Sequence, residues 1–236
     1  SLGDIYQLGP HRLMCGDSTK RDDVRRLMDG KRAELLFTDP PYGVLFQSQG
    51  VEKRAIQGDL SQSVIPLSFA VAVEEALSED ARVYVCGGQD NAQMYLSLFD
   101  HHLRMMPRFI IWDKQRFVLR RNNYHSQFEI VYFGWRGKGG GPRAWFGDRK
   151  SADLWSVARD PAKEYRHPTQ KPVELSIRAI TNSCRPGGLV FESFSGSGST
   201  MLGAETTKRV CYAMELDPTY VHVTIDRWEE HTGKKA

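Results

Sequence analysis

Short apolar runs alternate along the chain with longer stretches in which apolar residues recur at helical spacing. Runs rich in β-branched and aromatic residues predict strands at 11–15, 33–38, 82–86, 109–112, 129–135, 188–192 and 209–214. Stretches with three- to four-residue periodicity predict helices at 21–29, 65–77, 91–101, 173–183, 200–207 and 219–230. This alternation favours an α/β fold with a mostly parallel, seven-stranded sheet covered by helices on both faces. The neighbouring runs near Phe109 and Glu129 have no clear helix between them and predict an antiparallel pair.

Three segments, 43–63, 115–126 and 137–166, lack convincing periodicity. Loops of this length inside a compact domain are usually functional or disordered. A chain of 236 residues with 40% hydrophobic content suits one sizeable core, so we expect a single domain over 1–236. Because the chain starts at Ser1 rather than at a methionine, we expect that it was cut from something longer, such as a protein with a fused N-terminal domain.

The cysteines and the hydropathy pattern narrow the class of protein. The four cysteines are scattered without a CxxC pair or a Cys/His cluster, which argues against a disulfide framework and against a zinc site. No apolar run approaches the roughly 18 residues that span a bilayer, and the N-terminus lacks the pattern of a signal peptide. We therefore expect a soluble protein without metal in a reducing, cytoplasmic setting.

Positive charge is concentrated in two stretches of the chain. The net charge is only +3, but 104–121 holds six basic residues against one acidic residue, and 136–166 holds eight against four. A solvated surface explains such stretches in many proteins, and a nucleic-acid interface is the alternative.

The sharpest motif is Asp39-Pro40-Pro41-Tyr42, directly after a predicted strand. Ligands of open α/β sheets bind where strands end, and two prolines make a stiff loop with free carbonyls. The Asp39 carboxylate and the Pro40 carbonyl would accept hydrogen bonds from both protons of an amino group, while Tyr42 offers a face for stacking a base. An ordinary Pro-Pro turn is the alternative.

A glycine loop, Phe194-Ser195-Gly196-Ser197-Gly198, lies between a predicted strand and a predicted helix. Glycines allow a tight turn and close approach to a ligand, which suits a dinucleotide, a phosphate or merely the turn itself. Glu215 follows the next strand, about 20 residues beyond the glycines, at the spacing where an acid meets a ribose hydroxyl. The pair favours a cofactor containing a nucleoside, with Glu215 as a helix-capping acid as the alternative.

A third segment, His167-Pro168-Thr169-Gln170-Lys171-Pro172, precedes a predicted helix. Its flanking prolines stiffen it, and its polar residues offer donors for a carboxylate. Read alone, it is equally a polar lead-in to the helix.

Together and in this order, the three motifs resemble those of the β-class amino-group DNA methyltransferases, which act on N6 of adenine or N4 of cytosine. In that family the catalytic DPPY motif precedes the FxGxG cofactor motif. The segments Cys15-Gly16-Asp17-Ser18 and 123–135 resemble the upstream GD element and the strand before HPTQKP. The resemblance covers about 9–228, and it implies a Rossmann-like fold with circularly permuted motif order.

The resemblance also implies S-adenosylmethionine as cofactor and a flipped-out base as substrate. Asp39, Pro40, Pro41 and Tyr42 would then be catalytic. The implied cofactor contacts are Asp17 at the adenine, Glu215 at the ribose, Thr169 and Lys171 at the methionine carboxylate, and Asp39, Glu192, Phe194, Gly196 and Gly198 along the pocket. We further expect DNA contacts from Arg116, Arg120, Arg121 and a loop at 137–166 that includes Lys138 and Arg143.

The chain departs from the family pattern in two respects. Glu192-Ser193-Phe194 stands where the family usually has Asp-Pro-Phe, and the chain has no large insertion that would serve as a target-recognition domain. Asp rather than Ser at position 39 favours N6 of adenine over N4 of cytosine. Rival hypotheses are a methyltransferase acting on RNA, a methyltransferase acting on a protein amide, and a non-catalytic subunit that binds the cofactor. Asn at position 39 is typical of the amide enzymes, so Asp39 argues against them. The resemblance points to a bacterial or phage-encoded enzyme of a restriction-modification type. A homodimer is the alternative to the fused N-terminal domain.

Overall fold

The computed structural model describes residues 1–41, 64–119, 123–137, 145–161 and 170–236. Within these ranges nine strands form one mixed sheet flanked by helices. The strands are β1 (Ile5–Leu8), β2 (His11–Cys15), β3 (Ala33–Thr38), β4 (Leu77–Gly87), β5 (Arg108–Val118), β6 (Ser126–Trp135), β7 (Leu154–Ser156), β8 (Leu189–Glu192) and β9 (Val210–Glu215). The helices are α1 (Arg21–Met28), α2 (Val64–Val71), α3 (Ala92–Leu103), α4 (Val173–Ser183), α5 (Ser199–Thr206) and α6 (Pro218–Thr232). A π-helical turn, Ala72–Ala76, continues α2, and a 3₁₀ turn, Gln89–Asn91, precedes α3.

The strand order is β1-β2-β9-β8-β3-β4-β6-β5-β7. Strands β2, β9, β8, β3 and β4 are mutually parallel, whereas β6 is antiparallel to both β4 and β5, and β1 is antiparallel to β2. The α/β class and the β5–β6 antiparallel pair are thus confirmed. The strand count of seven was wrong, because β1 and β7 have four and three residues and carry too little alternation to be recognised.

Helices cover both faces of the sheet and enclose two apolar cores. One core includes Val24 of α1, Phe69 of α2 and Phe99 of α3, and the other includes Leu175 of α4 and Trp228 of α6. Since both faces of the central strands are buried, these strands read as nearly continuous apolar runs.

The ends of the helices follow from local sequence. In α6, Asp217 caps the N-terminus by accepting a hydrogen bond from the Thr219 N–H, and Pro218 occupies the first turn. Gly233 ends the same helix with a positive φ of 69°. No helix in the described ranges is both long and apolar enough to cross a membrane.

Candidate active site

The predicted site residues converge on the carboxyl edge of the parallel strands. Asp17 follows β2, Asp39 follows β3, the glycine loop follows β8, and Glu215 ends β9. Because these four strands are neighbours and run in the same direction, segments far apart in the sequence meet at one edge of the sheet. The structure therefore brings the first and second motifs together, and their chemical roles remain predictions.

Asp39 is held by an ion pair with Lys171 of the third motif. The Lys171 Nζ donates a hydrogen bond of 2.8 Å to Asp39 Oδ2, and Pro40 beside it is buried. Pro41 is half-buried, and Tyr42, the predicted stacking residue, lies outside the described residues. The first and third motifs thus form a single charged centre.

Lys171 lies between two carboxylates, those of Asp39 and Glu129. Its Nζ is 3.3 Å from Glu129 Oε2 and lies 5.9 Å from the centre of the Trp112 ring. Burial alone would lower the pKa of Lys171, but the two carboxylates outweigh burial and raise it. The ammonium is therefore charged and is engaged by protein carboxylates, whereas the sequence predicted that it meets the methionine carboxylate of a cofactor. Thr169, the other predicted contact, lies outside the described residues.

Glu129 and Lys114 belong to this centre and were missed as site residues. Glu129 lies on β6, and its Oε1 is 3.5 Å from the Nζ of Lys114 on β5. In the sequence, Lys114 counted toward the basic stretch 104–121, for which a solvated surface and a nucleic-acid interface were the two interpretations. Neither applies to this residue, because its side chain is only 4% exposed and pairs with Glu129. The sequence offered one signal for these two residues. Glu129 lies in the predicted strand 129–135, and Lys114 lies just after the predicted strand 109–112, where charged residues are unusual.

The glycine loop has a conformation that only glycine adopts without strain. Gly196 and Gly198 have positive φ values of 53° and 81°. A Cβ added at Gly198 would lie 2.7 Å from Cγ2 of Thr224. Between the two glycines and β8, the Ser195 Oγ is buried and has no hydrogen-bond partner among the described residues. A close backbone turn with an unsatisfied hydroxyl fits a polar ligand at this loop.

Glu215 links the glycine loop to the end of β9. Its Oε2 accepts a 2.8 Å hydrogen bond from Gly196 N–H, and its Oε1 accepts one of 2.9 Å from Asp217 N–H. Burial raises the pKa of Glu215 to about 6, against these hydrogen bonds. The alternative of a helix-capping role fails, since Asp217 caps α6. Because each carboxylate oxygen has two lone pairs, the Glu215 carboxylate can accept further hydrogen bonds, such as those from the hydroxyl groups of a ribose.

Glu192 connects the end of β3, next to Asp39, to the glycine loop and the start of α5. Its Oε1 accepts hydrogen bonds from the Thr38 hydroxyl (2.6 Å) and the Phe194 N–H (2.9 Å), and its Oε2 accepts one from the Thr200 hydroxyl (2.7 Å). Burial outweighs these donors and raises the pKa of Glu192 to about 8. Glu192, predicted as a cofactor contact, is 2% exposed and is hydrogen-bonded to the end of β3, the glycine loop and the start of α5, and its contact with a cofactor stays a prediction. Phe194 itself is half-buried.

Asp17 organises the turn that follows β2. Its Oδ1 accepts hydrogen bonds from the N–H and the hydroxyl of Thr19, at 2.9 and 2.7 Å. The preceding Gly16 N–H donates to the Glu215 carbonyl, which ties this turn to the end of β9. The half-buried Asp17 thus lies on the same side of the glycine loop as Glu215.

The predicted DNA contacts are described only in part. Arg116 is exposed on β5, at the carboxyl end of that strand. Arg120, Arg121, Lys138 and Arg143 lie outside the described residues, as does much of the loop at 137–166. Among the described residues, no group of three or more His, Cys, Asp or Glu side chains is arranged to hold a metal ion.

Comparison with known proteins matches residues 33–226 to the model of the N6/N4 DNA methylase family. A type II methyltransferase of Moraxella bovis, M2.MboI, is 24% identical, over 84% of this chain and 81% of its own length. The DNA adenine methyltransferase YhdJ of Escherichia coli (strain K12) is 25% identical, over 82% of this chain and 75% of its own length.

Two solved structures share the fold. M1.HpyAVI in complex with S-adenosylmethionine superposes with a TM-score of 0.70 and 16% identity, covering 91% of this chain and 97% of that one. The cytosine-N4-specific PvuII DNA methyltransferase gives a TM-score of 0.71 and 18% identity, covering 99% and 94%. The fold is therefore that of the S-adenosylmethionine-dependent methyltransferases, and the family match extends from the first residue of β3 into α6. The chain belongs to the N6/N4 DNA methylase family.

Proposed function

We propose that this protein transfers a methyl group from S-adenosylmethionine to N6 of adenine in DNA. The observation that carries the proposal is the placement of the Asp39 carboxylate, with Pro40 beside it, at the same sheet edge as the glycine loop and Glu215. An amino acceptor at Asp39 and a nucleoside cofactor at Glu215 would thus share one cleft.

The residues present fit the cofactor. Gly196 and Gly198 allow close approach of the backbone, the buried Ser195 Oγ offers an unused hydrogen-bonding group, and Glu215 provides acceptors for ribose hydroxyls. Asp17 would meet the adenine of the cofactor. When bound, S-adenosylmethionine supplies an electrophilic methyl group.

Asp39 and Pro40 act on the nucleophile. The lone pair of an aromatic amino group is delocalised into the ring, so the free amino nitrogen is a poor nucleophile. Hydrogen bonds from its two protons to the Asp39 carboxylate and the Pro40 carbonyl favour a pyramidal nitrogen with a localised lone pair. A base inside a duplex must be flipped out to reach this edge, and Tyr42 would stack on it.

Adenine is favoured over cytosine by Asp at position 39, and one relative of this chain is named a DNA adenine methyltransferase. N4 of cytosine is the second candidate, since the same two acceptors suit its amino group and one structural neighbour is cytosine-N4-specific. The two candidates differ only in the base that the pocket admits.

The test is methyl transfer from labelled S-adenosylmethionine to mixed-sequence DNA, followed by mass analysis of the nucleosides, with RNA and protein as parallel substrates. We expect N6-methyladenine, lost in Asp39→Ala and retained in the control Asp22→Ala, whose side chain is 89% exposed on α1. Methylcytosine would transfer the proposal to N4 of cytosine. Product only on RNA or protein, or cofactor binding without any product, would refute it.

Glu215 is tested by cofactor binding rather than by turnover. Glu215→Ala removes the ribose acceptors and the contact to Gly196, so we expect the Kd for S-adenosylmethionine to rise about 10- to 100-fold, equivalent to about 1.4 to 3 kcal/mol. Calorimetry on Glu215→Ala and wild type measures this directly. An unchanged Kd would exclude Glu215 from the cofactor site.

For DNA binding, we propose that Arg116 contacts the phosphate backbone. Arg116→Glu is expected to weaken binding to all sequences and to reduce the slope of log K against log salt by about 0.9. Arg185→Glu is the control, because Arg185 pairs with Glu34 near the start of β3, at the opposite edge of the sheet. Equal slopes for wild type and Arg116→Glu would exclude this contact.

A further inference from the structure

Four charged side chains form a row of alternating sign that starts at the predicted catalytic carboxylate. Asp39 is 2.8 Å from Lys171, Lys171 is 3.3 Å from Glu129, and Glu129 is 3.5 Å from Lys114. The row crosses from the end of β3 through the third motif to β6 and β5. No motif of the sequence predicted the last two members.

The row is shielded from water. The side chains of Lys171 and Lys114 are 8% and 4% exposed, and those of Asp39 and Glu129 are 20% and 24% exposed. Burial by itself would raise the pKa of Glu129, but Lys171 and Lys114 outweigh it and lower that pKa. Glu129 is therefore an anion in a region of low dielectric, where its charge acts strongly on its neighbours.

Lys171 is held in place from several sides. Its carbonyl accepts a 2.7 Å hydrogen bond from the Ser199 hydroxyl, and its ammonium lies over the Trp112 ring. Trp112 on β5 is the register partner of Glu129 on β6, so the sheet fixes both groups that flank the ammonium. The ammonium can therefore be shared between Asp39 and Glu129 without moving.

We propose that Glu129 is a positioning residue for methyl transfer, acting on Asp39 through Lys171. Glu129 forms a second ion pair with the Lys171 ammonium. This second ion pair limits how strongly Lys171 withdraws electron density from the Asp39 carboxylate. Asp39 thereby stays oriented by an ion pair and still accepts a hydrogen bond from the substrate amino group. This inference rests on the proposed function, and it adds a residue on β6 to the machinery.

Two substitutions separate charge from shape. Glu129→Gln keeps the shape and removes the charge, whereas Glu129→Asp keeps the charge and shortens the side chain. We expect Glu129→Gln to lower kcat about 10- to 100-fold, the scale of a misplaced catalytic group, and Glu129→Asp to retain more activity than Glu129→Gln. The Kd for S-adenosylmethionine should stay within about twofold in both variants, since the effect is on chemistry and not on cofactor binding.

The matched control is Glu34→Gln, which removes a carboxylate of 26% exposure that pairs with Arg185 away from the site. Its kcat should equal that of the wild type. A Glu129→Asp variant no more active than Glu129→Gln, or a Kd for the cofactor that rises in step with the loss of kcat, would overturn the proposal.

A stability cycle tests the same link without requiring any turnover. Asp39→Asn and Glu129→Gln each leave Lys171 with one carboxylate, whereas the double variant leaves a buried ammonium with neither. The shift of the urea midpoint in the double variant should exceed the sum of the single shifts, while Asp39→Asn combined with Glu34→Gln should be additive. Additive shifts for Asp39 and Glu129 would overturn the proposal. If the variants show this coupling but the wild type methylates no nucleic acid or protein, the result would instead refute the proposed function.

Discussion

Substituting Glu192 by glutamine should change the pH dependence of stability in a definite direction. The Glu192 carboxyl group is buried and accepts hydrogen bonds from Thr38, Phe194 and Thr200. Glutamine has the same shape, and its amide oxygen can keep the bonds from Thr38 and Phe194. Its NH₂ group would donate to the Thr200 oxygen once that hydroxyl turns. Glu192→Gln should therefore fold normally and lose only the titration.

The magnitude follows from the shift of the Glu192 pKa. Burial raises that pKa to about 8 from an ordinary value of 4.5. Between these two values the folded protein binds a proton that the unfolded chain does not bind, so the contribution to stability is fully present below pH 4.5 and is lost as pH rises to 8. One proton corresponds to about 1.4 kcal/mol per pH unit, which gives about 3 kcal/mol between pH 5.5 and 7.5 and at most about 5 kcal/mol in all.

The assay is urea denaturation of wild type and Glu192→Gln at half-unit steps from pH 5 to 8.5. The free energy of unfolding of Glu192→Gln, relative to wild type, should rise steadily with pH up to about 8 and level off above that pH. Glu215→Gln provides a comparison, since the pKa of Glu215 is raised only to about 6 and its difference from wild type should level off above that pH. A constant difference between Glu192→Gln and wild type would refute the assignment of a protonated Glu192.

Two further substitutions test the glycine loop and a buried histidine. Gly198→Ala should lower the free energy of unfolding by about 2 kcal/mol or more, because φ is +81° and the new methyl lies 2.7 Å from Thr224 Cγ2. Gly233→Ala is the control, because Gly233 has φ +69° but open space around it, so its loss of stability should come from backbone strain alone. If urea denaturation gives the same loss of free energy for both variants, the contact with Thr224 costs nothing. Burial lowers the pKa of His11 despite its 2.8 Å contact to Glu205, so the unfolded chain takes up a proton before the folded protein does and stability should fall as pH drops below 6.5. His11→Gln should lack this loss in matched denaturation series, and a loss of the same size in the variant would assign it to other groups.

The central part of the fold could be predicted from the sequence because its strands are buried on both faces. The segments 11–15 and 33–38 were predicted with the bounds that β2 and β3 have. The bounds of α4 also agree. The edge strands β1 and β7 could not be predicted, because a short strand with one neighbour needs few apolar residues.

The candidate site could be predicted where its residues form short motifs of consecutive positions. The glycine loop and Asp39 are short motifs at strand ends, and the strand order alone brings them to one edge. Glu129 and Lys114 could not be assigned in this way, since their role depends on the pairing of β5 with β6 and on a contact with Lys171. A single charged residue in a strand does not reveal which partner lies across the sheet.

The longer carboxylate at position 192 has a consequence for how the two halves of the site are joined. Thr38 directly precedes Asp39, and Thr200 lies in the first turn of α5, just beyond Gly198. One side chain hydrogen-bonds to both, so Glu192 links the first turn of α5, beside the glycine loop, to the backbone next to Asp39, the predicted catalytic residue. The departure from the usual Asp-Pro-Phe therefore falls on the residue that links the glycine loop to the segment that holds Asp39. On this reasoning, shortening the side chain in Glu192→Asp should lower kcat more than it weakens cofactor binding, because the glycine loop keeps its own bond to Glu215 while Thr38 loses its partner.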